Sequence, residues 1–147
     1  MPYLIDNPKT KFNFELLETY EAGIKLAGHE VKTIRAKRGS LEGAYVTIRG
    51  GEAFLMNAYI PAYQEKNTPE GYDPNQRRTL LLSRKELGEL AAKEAQDGLT
   101  IVPISMYSKG PNIKVGIAVA RGKKKFDKRQ TIMKRESDRD IQRTLKR

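Results

Sequence analysis

The stretch RGKKKFDKRQ, Arg121 to Gln130, carries the side chains best suited to chemistry with a polyanion. A lysine ammonium is a compact point charge that pairs with phosphate. Neutralising roughly 6–10 phosphates makes affinity fall ~10³–10⁵-fold between about 50 and about 200 mM salt. Phe126, inside the basic run, can stack on an unpaired base for ~1–3 kcal/mol. Such phosphate contacts carry no sequence preference. A solvated, solubilising tail is the plainer reading of the same charges.

Catalytic constellations fail on inspection. The sequence has no Gly-rich phosphate loop ending in Lys-Ser/Thr and no dinucleotide fingerprint. It has no cysteine, which excludes disulfides and thiolate metal sites. His29 is the single histidine, and its neighbour Glu30 would point elsewhere on a helix. Glu15, Glu18 and Glu21 could form an acid/base pair, but solvated or lysine-paired carboxylates are the simpler account. The expectation is a protein that is not an enzyme, with no metal and no cofactor.

The chain has 147 residues and a net charge of +10. Residues 121–147 hold 12 Lys+Arg against 4 Asp+Glu, leaving a nearly neutral body of 16 against 14. This asymmetry points to a polyanionic partner. Nucleic acid fits better than lipid, because the tail lacks the apolar wedge of an interfacial helix. No apolar stretch approaches the ~20 residues of a membrane span, and the N-terminus lacks the order of a secretory signal. A cytoplasmic protein is expected, with a folded domain over 1–121 and a flexible basic tail over 122–147.

Several elements must position these groups. FNFELLETYEAGIKLA alternates with period two from Phe12 to Leu26, which predicts a strand; its Glu and Leu content leaves a helix as the competitor. Leu17 and Glu18 break the alternation, so a bulge or bend belongs there. HEVKTIRAKRG reads as a two-turn helix stopped by Gly39. YVTIRGGEAFLMNAYIP reads as a hairpin about Gly50-Gly51. Tyr63 to Asn75 is a loop and RRTLLL a buried strand. Ser83 to Glu86 is a capping box opening a helix with a Leu87, Leu90, Ala91, Ala95 stripe. LTIVPISMYS and NIKVGIAVA are two more strands, and Pro103 requires an edge or a bulge. The predicted fold is mainly β: about six strands in an antiparallel sheet, which a closed barrel would suit, with two helices. Past Gly122 the apolar residues are too few to offset backbone entropy. That predicts a tail disordered when free and helical against an anionic surface.

EAGIKLAGHEVKTIRA, GEAFLMNAYI, LLLSRKEL and ARGKKKFDKR, in this order and spacing, resemble the SsrA-binding protein family, also called small protein B. The resemblance runs from about Asn7 to the C-terminus. It implies an oligonucleotide-binding-type β-barrel with two to three flanking helices. It implies binding to transfer-messenger RNA and delivery of that RNA to stalled ribosomes in trans-translation, with elongation factor Tu as an expected companion. By position, Glu21, Leu81 and Lys114 match residues linked to the RNA, with Asn7 and Arg35 as further members of the same face. Gly122, Lys123 and Lys124 match the hinge between barrel and tail, and the two lysines would also touch RNA. Asp127, Lys128 and Arg129 match a motif needed on the ribosome, where the tail would fold as a helix in the empty message channel. Phe126 stands where relatives often have Tyr or His. It keeps stacking and loses a hydrogen bond. Ile132 to Glu136 exchanges an acid for a base relative to the family pattern. RRTLLL lacks the common lead-in, and Asn7 to Phe14 carries an unusual Pro and two Phe.

Readings that need no such resemblance are a general single-stranded RNA-binding barrel, which would keep its function with a shuffled tail, and a structural ribosomal protein, which would co-purify with all ribosomes.

Overall fold

A computed structural model describes residues 3–64, 66, 68–123 and 132. Among them run β1 (Tyr3–Asp6), α1 (Lys9–Asn13), β2 (Phe14–Ile24), α2 (Gly28–Arg35), β3 (Tyr45–Arg49), β4 (Glu52–Met56), β5 (Arg78–Leu81), α3 (Arg84–Glu94), β6 (Leu99–Lys109) and β7 (Asn112–Gly122). The strands follow the order β1-β6-β3-β4-β5-β2-β7, and β6 also pairs with β7. All pairings are antiparallel. The β6–β7 pairing therefore closes a ring of β6, β3, β4, β5, β2 and β7, with β1 added outside on β6. Closure removes the edges of an open sheet, which would otherwise invite aggregation, and leaves the outer side of the short β1 unpaired among the described strands.

Local chemistry explains most of these elements. β2 pairs with β7 from Phe14↔Gly122 to Gly23↔Lys114, and the register slips between Leu16 and Glu18. Leu17 is the extra, exposed residue of that bulge, and its two flanks keep their parity on opposite sides of it. At the β3–β4 hairpin, Gly50 and Gly51 take φ of 57° and 78°, the pair of positive values that a tight two-residue turn demands. Ser83 accepts from the Glu86 N–H at 3.2 Å, and Glu86 accepts from the Ser83 N–H at 3.1 Å, completing the capping box of α3. Pro103 is not at an edge. It lies within β6, and the ladder to β7 slips between Pro103 and Ser105.

Four features differ from the sequence expectation. β1 and α1 are additional, so the described residues hold seven strands and three helices. Phe12 belongs to α1 and not to the strand. α2 stops before Gly39: Lys37 takes a φ of 61°, and the Arg38 N–H reaches the Thr33 carbonyl at 3.1 Å, a left-handed helix stop occupied by lysine. In α3 only Leu90 is fully buried, while Ala91 and Ala95 are exposed. The helix instead turns Glu94 inward, whose carboxylate accepts the Ile48 N–H at 3.3 Å. β3 pairs with β6 only at Val46↔Ile101, which leaves the Ile48 N–H to be satisfied in this way.

The barrel interior is aliphatic. Ile113, Val115, Ile117 and Val119 of β7 face inward with Val46, Leu55, Ile101 and Met106, and Ile34 and Leu90 plug the ring from α2 and α3. One ion pair is also buried. Arg78 Nη2 meets Glu30 Oε2 at 2.7 Å, with the two side chains only 2% and 3% exposed. Arg78 also donates to the Ala58 carbonyl at 2.6 Å and to the Tyr72 hydroxyl at 3.0 Å. Tyr72 in turn lies 2.7 Å from the Ile60 carbonyl. Burial alone would raise the Glu30 carboxyl; the Ala27 N–H and the Arg78 guanidinium outweigh it and hold it below the ordinary value. Burial and the Glu30 charge push Tyr72 up to about 12. The network joins α2, the connection after β4 and the first residue of β5.

Removing one partner of a buried pair strands the other charge, at a cost of ~3–5 kcal/mol. Arg78→Ala is expected to lose about that much stability in urea unfolding, and Arg78→Ala combined with Glu30→Met to regain a large part of it. Equal stability of the single variant and the unmutated chain would contradict the assignment.

Candidate nucleic-acid interface

β5, β2 and β7 meet at Gly23, which pairs with Leu81 on one side and Lys114 on the other. A Cβ at Gly23 would lie 3.2 Å from Leu81 Cβ and 3.6 Å from Lys114 Nζ. The glycine is therefore the floor over which those two side chains approach. Leu81 is 51% exposed, an apolar group standing at the lip of the barrel. A groove of about 270 Å³ opens there, with Leu26, Val31 and Pro111 among its walls. Arg35, from the end of α2, donates to Ser108 Oγ at 3.1 Å and to the Pro111 carbonyl at 3.0 Å. It fastens the β6–β7 turn against α2 and so fixes the width of the groove.

Glu21 lies two residues before Gly23 and so shares its face. Its Oε1 pairs with Lys109 Nζ at 2.9 Å, and its Oε2 accepts from the Tyr107 hydroxyl. The Lys109 and Tyr107 hydrogen bonds hold the Glu21 carboxyl below the usual carboxylate range. Burial and the bond to Glu21 push Tyr107 up to about 12, so it stays a donor at neutral pH. A lone carboxylate would repel phosphate. Here it orients Lys109 and the Tyr107 ring, and Lys109 and Lys114 present positive charge on either side of it. Cations at a rim, an apolar lip and a glycine floor suit a folded nucleic acid held by its backbone and shape.

Glu21, Arg35, Leu81 and Lys114 thus come together, joined by Gly23, Tyr107 and Lys109, which the sequence reading did not single out. Tyr107 and Lys109 lie in an ordinary alternating strand, and only the β2–β7–β6 register brings them to Glu21. Asn7 lies off this face, bonded to Leu41 and Pro103, which corrects its grouping with the others; Lys123, expected at the hinge, follows the far end of β7. Nine residues of β2 separate Phe14 from Gly23, on the order of 30 Å at ~3.3 Å per residue. Asn7 is buried and donates to the Leu41 and Pro103 carbonyls at 3.2 and 3.0 Å, which stitches α1 to β6 where Pro103 disrupts the ladder. Lys123 donates through its backbone to the Asn13 carbonyl and through Nζ to the Lys11 carbonyl, both at 2.9 Å. Gly122 ends β7 opposite Phe14. Lys124, Phe126, Asp127, Lys128 and Arg129 lie outside the described residues, as does the expected helix of the tail apart from Ile132.

Glu18 and His29, two of the remaining candidates for chemistry, pack against tyrosines. Glu18 lies 3.8 Å from Lys93 and, with Glu89, faces the Tyr20 hydroxyl, whose pKa is raised by burial and those two carboxylates. His29 packs edge-on to Tyr72 at 4.7 Å. Among the described residues no cluster of three or more His, Cys, Asp or Glu could hold a metal ion, and no helix is long and apolar enough to cross a membrane.

Comparison with known proteins shows what the chain resembles. The family model for the SmpB protein matches residues 4–147. The SsrA-binding protein of Gloeothece citriformis (strain PCC 7424) is 48% identical over 144 residues, which cover 98% of this chain and 93% of that relative. The SsrA-binding protein of Nostoc punctiforme (strain ATCC 29133 / PCC 73102) is 45% identical over 97% of this chain and 92% of its own. A chain in a solved structure described as "tmRNA-SmpB: a journey to the center of the bacterial ribosome" superposes with a TM-score of 0.69 at 40% identity, over 82% of this chain and 84% of that one.

Lys114→Ala is expected to weaken binding of a folded RNA and to reduce the slope of log affinity against log salt by about one. Lys85→Ala, which removes an exposed charge on α3, should leave that slope nearly unchanged. Filter binding across a salt series would show both, and equal slopes for the two variants would place the interface elsewhere.

Proposed function

The chain belongs to the SmpB protein family, and we propose that it binds the tRNA-like part of transfer-messenger RNA and brings it to stalled ribosomes for trans-translation. The observation that carries this reading is the meeting of Leu81 and Lys114 over Gly23 in one groove, with Arg35 holding the Pro111 wall and Glu21 holding Lys109 and Tyr107 beside it. The groove's cations take phosphates. Leu81 and the Gly23 floor allow close approach of a sugar or base. Recognition is by shape and backbone, as folded RNA requires. No bond is made or broken by the protein; peptide transfer belongs to the ribosome. The setting is the cytoplasm, and elongation factor Tu is a companion in the same complex.

The basic segment has a separate task. A tRNA-shaped RNA without an anticodon arm leaves the decoding site empty. The tail over 122–147, with Phe126, Asp127, Lys128 and Arg129, fills that gap and takes up helix only where the message channel is vacant. Gly122, Lys123 and Lys124 form the junction. Two points support this division. The net charge is concentrated after Arg121, and the junction leaves the barrel at the end opposite the groove. One molecule can then hold RNA at one end while its extension reaches another surface.

Truncation after Gly122 separates the two tasks. Affinity for transfer-messenger RNA is expected to persist within a few-fold, while peptide tagging in a reconstituted translation system is lost. Parallel loss of both would show that barrel and tail do not divide the work in this way.

A further inference from the structure

Beside the groove, on the same outer face, lies a second hollow that the function above does not use. Tyr3 of β1 pairs directly with Tyr107 of β6, which sets the two rings on one face with Cβ atoms about 4.5–5.5 Å apart. Gly116 of β7 pairs with Ser105. Tyr3, Ile104, Ser105, Tyr107 and Gly116 enclose a cleft of about 280 Å³. That is near the lower end of the ~300–1,000 Å³ typical of small-molecule sites, a size suited to one ring system.

Its chemistry points to a nucleobase. Tyr3 is 52% exposed, an aromatic face left open on the outermost strand. The absent side chain of Gly116 creates the floor: a Cβ there would lie 3.7 Å from Ser105 Oγ and 3.8 Å from Tyr107 Cε1. A hydroxyl and a ring edge therefore face whatever sits over the glycine. Tyr107 is held by its hydrogen bond to Glu21, so the ring is ordered before a ligand arrives. Glu21 also holds Lys109 at 2.9 Å, and Lys114 pairs directly with Tyr107. Two cations are thus tied to Tyr107, through Glu21 and through strand register, at the side of the cleft. Every base has a π-face, so such a platform tolerates sequence.

We propose that the cleft between Tyr3 and Tyr107 is a stacking subsite for one unpaired base of RNA, continuous with the Gly23 groove through Glu21 and Lys109. The proposal rests on the RNA-binding reading above and extends it to a single-stranded element of the ligand.

The test uses the full chain, a short oligoadenylate and the same backbone with abasic residues, with binding followed by NMR. The intact oligonucleotide is expected to shift the amide signals of Ser105, Tyr107 and Gly116, and the abasic strand to leave them in place. Tyr3→Ala should lower oligoadenylate affinity at least about fivefold, the smaller end of one base–aromatic stack. Tyr3→Phe, which keeps the ring, should bind like the unmutated chain. Equal binding of the abasic strand, or unchanged affinity in Tyr3→Ala, overturns the subsite. A parallel titration with transfer-messenger RNA keeps the two claims apart. If that RNA still binds in a Lys114-dependent way while the base-dependent signals are missing, only the subsite falls. If both are missing, the RNA-binding reading falls with it.

Discussion

The contact between Glu30 and Arg78 governs how the rest of the molecule fits together. These two charges are 48 residues apart in the chain and 2.7 Å apart in the barrel. Glu30 is in the first turn of α2, and Arg78 begins β5. Walls of the groove come from those same elements: Val31 from α2 and Leu81 from β5. A buried, multiply hydrogen-bonded guanidinium tolerates little displacement, because every lost contact leaves a charge or carbonyl unsatisfied. The pair contributes little net stability relative to an apolar substitute. What it supplies is position: it sets α2 at a fixed place over β5, and the groove inherits that placement. Arg35 then ties the far wall, the β6–β7 turn, to the same helix.

A second constraint is the length of β2 and β7. Two 11-residue strands paired almost throughout behave as a stiff ruler with the groove at one end and the departure point of the basic segment at the other. The Leu17 bulge and the slip after Pro103 let these long strands coil around the barrel without reversing their inward faces. Asn7 belongs to this mechanical layer. Its amide donates to the Pro103 carbonyl beside the slip in the ladder, so its importance is to the attachment of the β1–α1 connection to β6.

Much of this was legible in the residues, and the limits have physical causes. The alternation of β2 and β7, the double glycine of the hairpin, the Ser83 box and the disruption at Pro103 are local signals, and each corresponds to an observed element. β1 and α1 escaped because four and five residues are too few to establish a period. Lys37 in a left-handed helix stop gives no compositional sign, whereas Gly39 does. Ring closure depends on which strands β6 and β7 meet besides each other, and periodicity does not encode that. At the site, motif resemblance named Glu21, Arg35, Leu81 and Lys114. It grouped Asn7 with them because a match to a family pattern says nothing about where in the fold a residue is packed. Tyr107 and Lys109 became visible only through the register that sets them against Glu21.

The central claim is that a pair of charges with almost no access to solvent sets the geometry of the surface proposed to bind RNA. Its most direct measurement is the affinity of folded Arg78→Lys for transfer-messenger RNA. Lysine keeps the charge and loses the fork that reaches Glu30, Ala58 and Tyr72 together. A loss of about tenfold, equivalent to ~1.4 kcal/mol, is expected in a variant whose circular dichroism shows an intact fold. An affinity equal to that of the unmutated chain would mean that the groove keeps its shape without the pair, and the account would be wrong at its root.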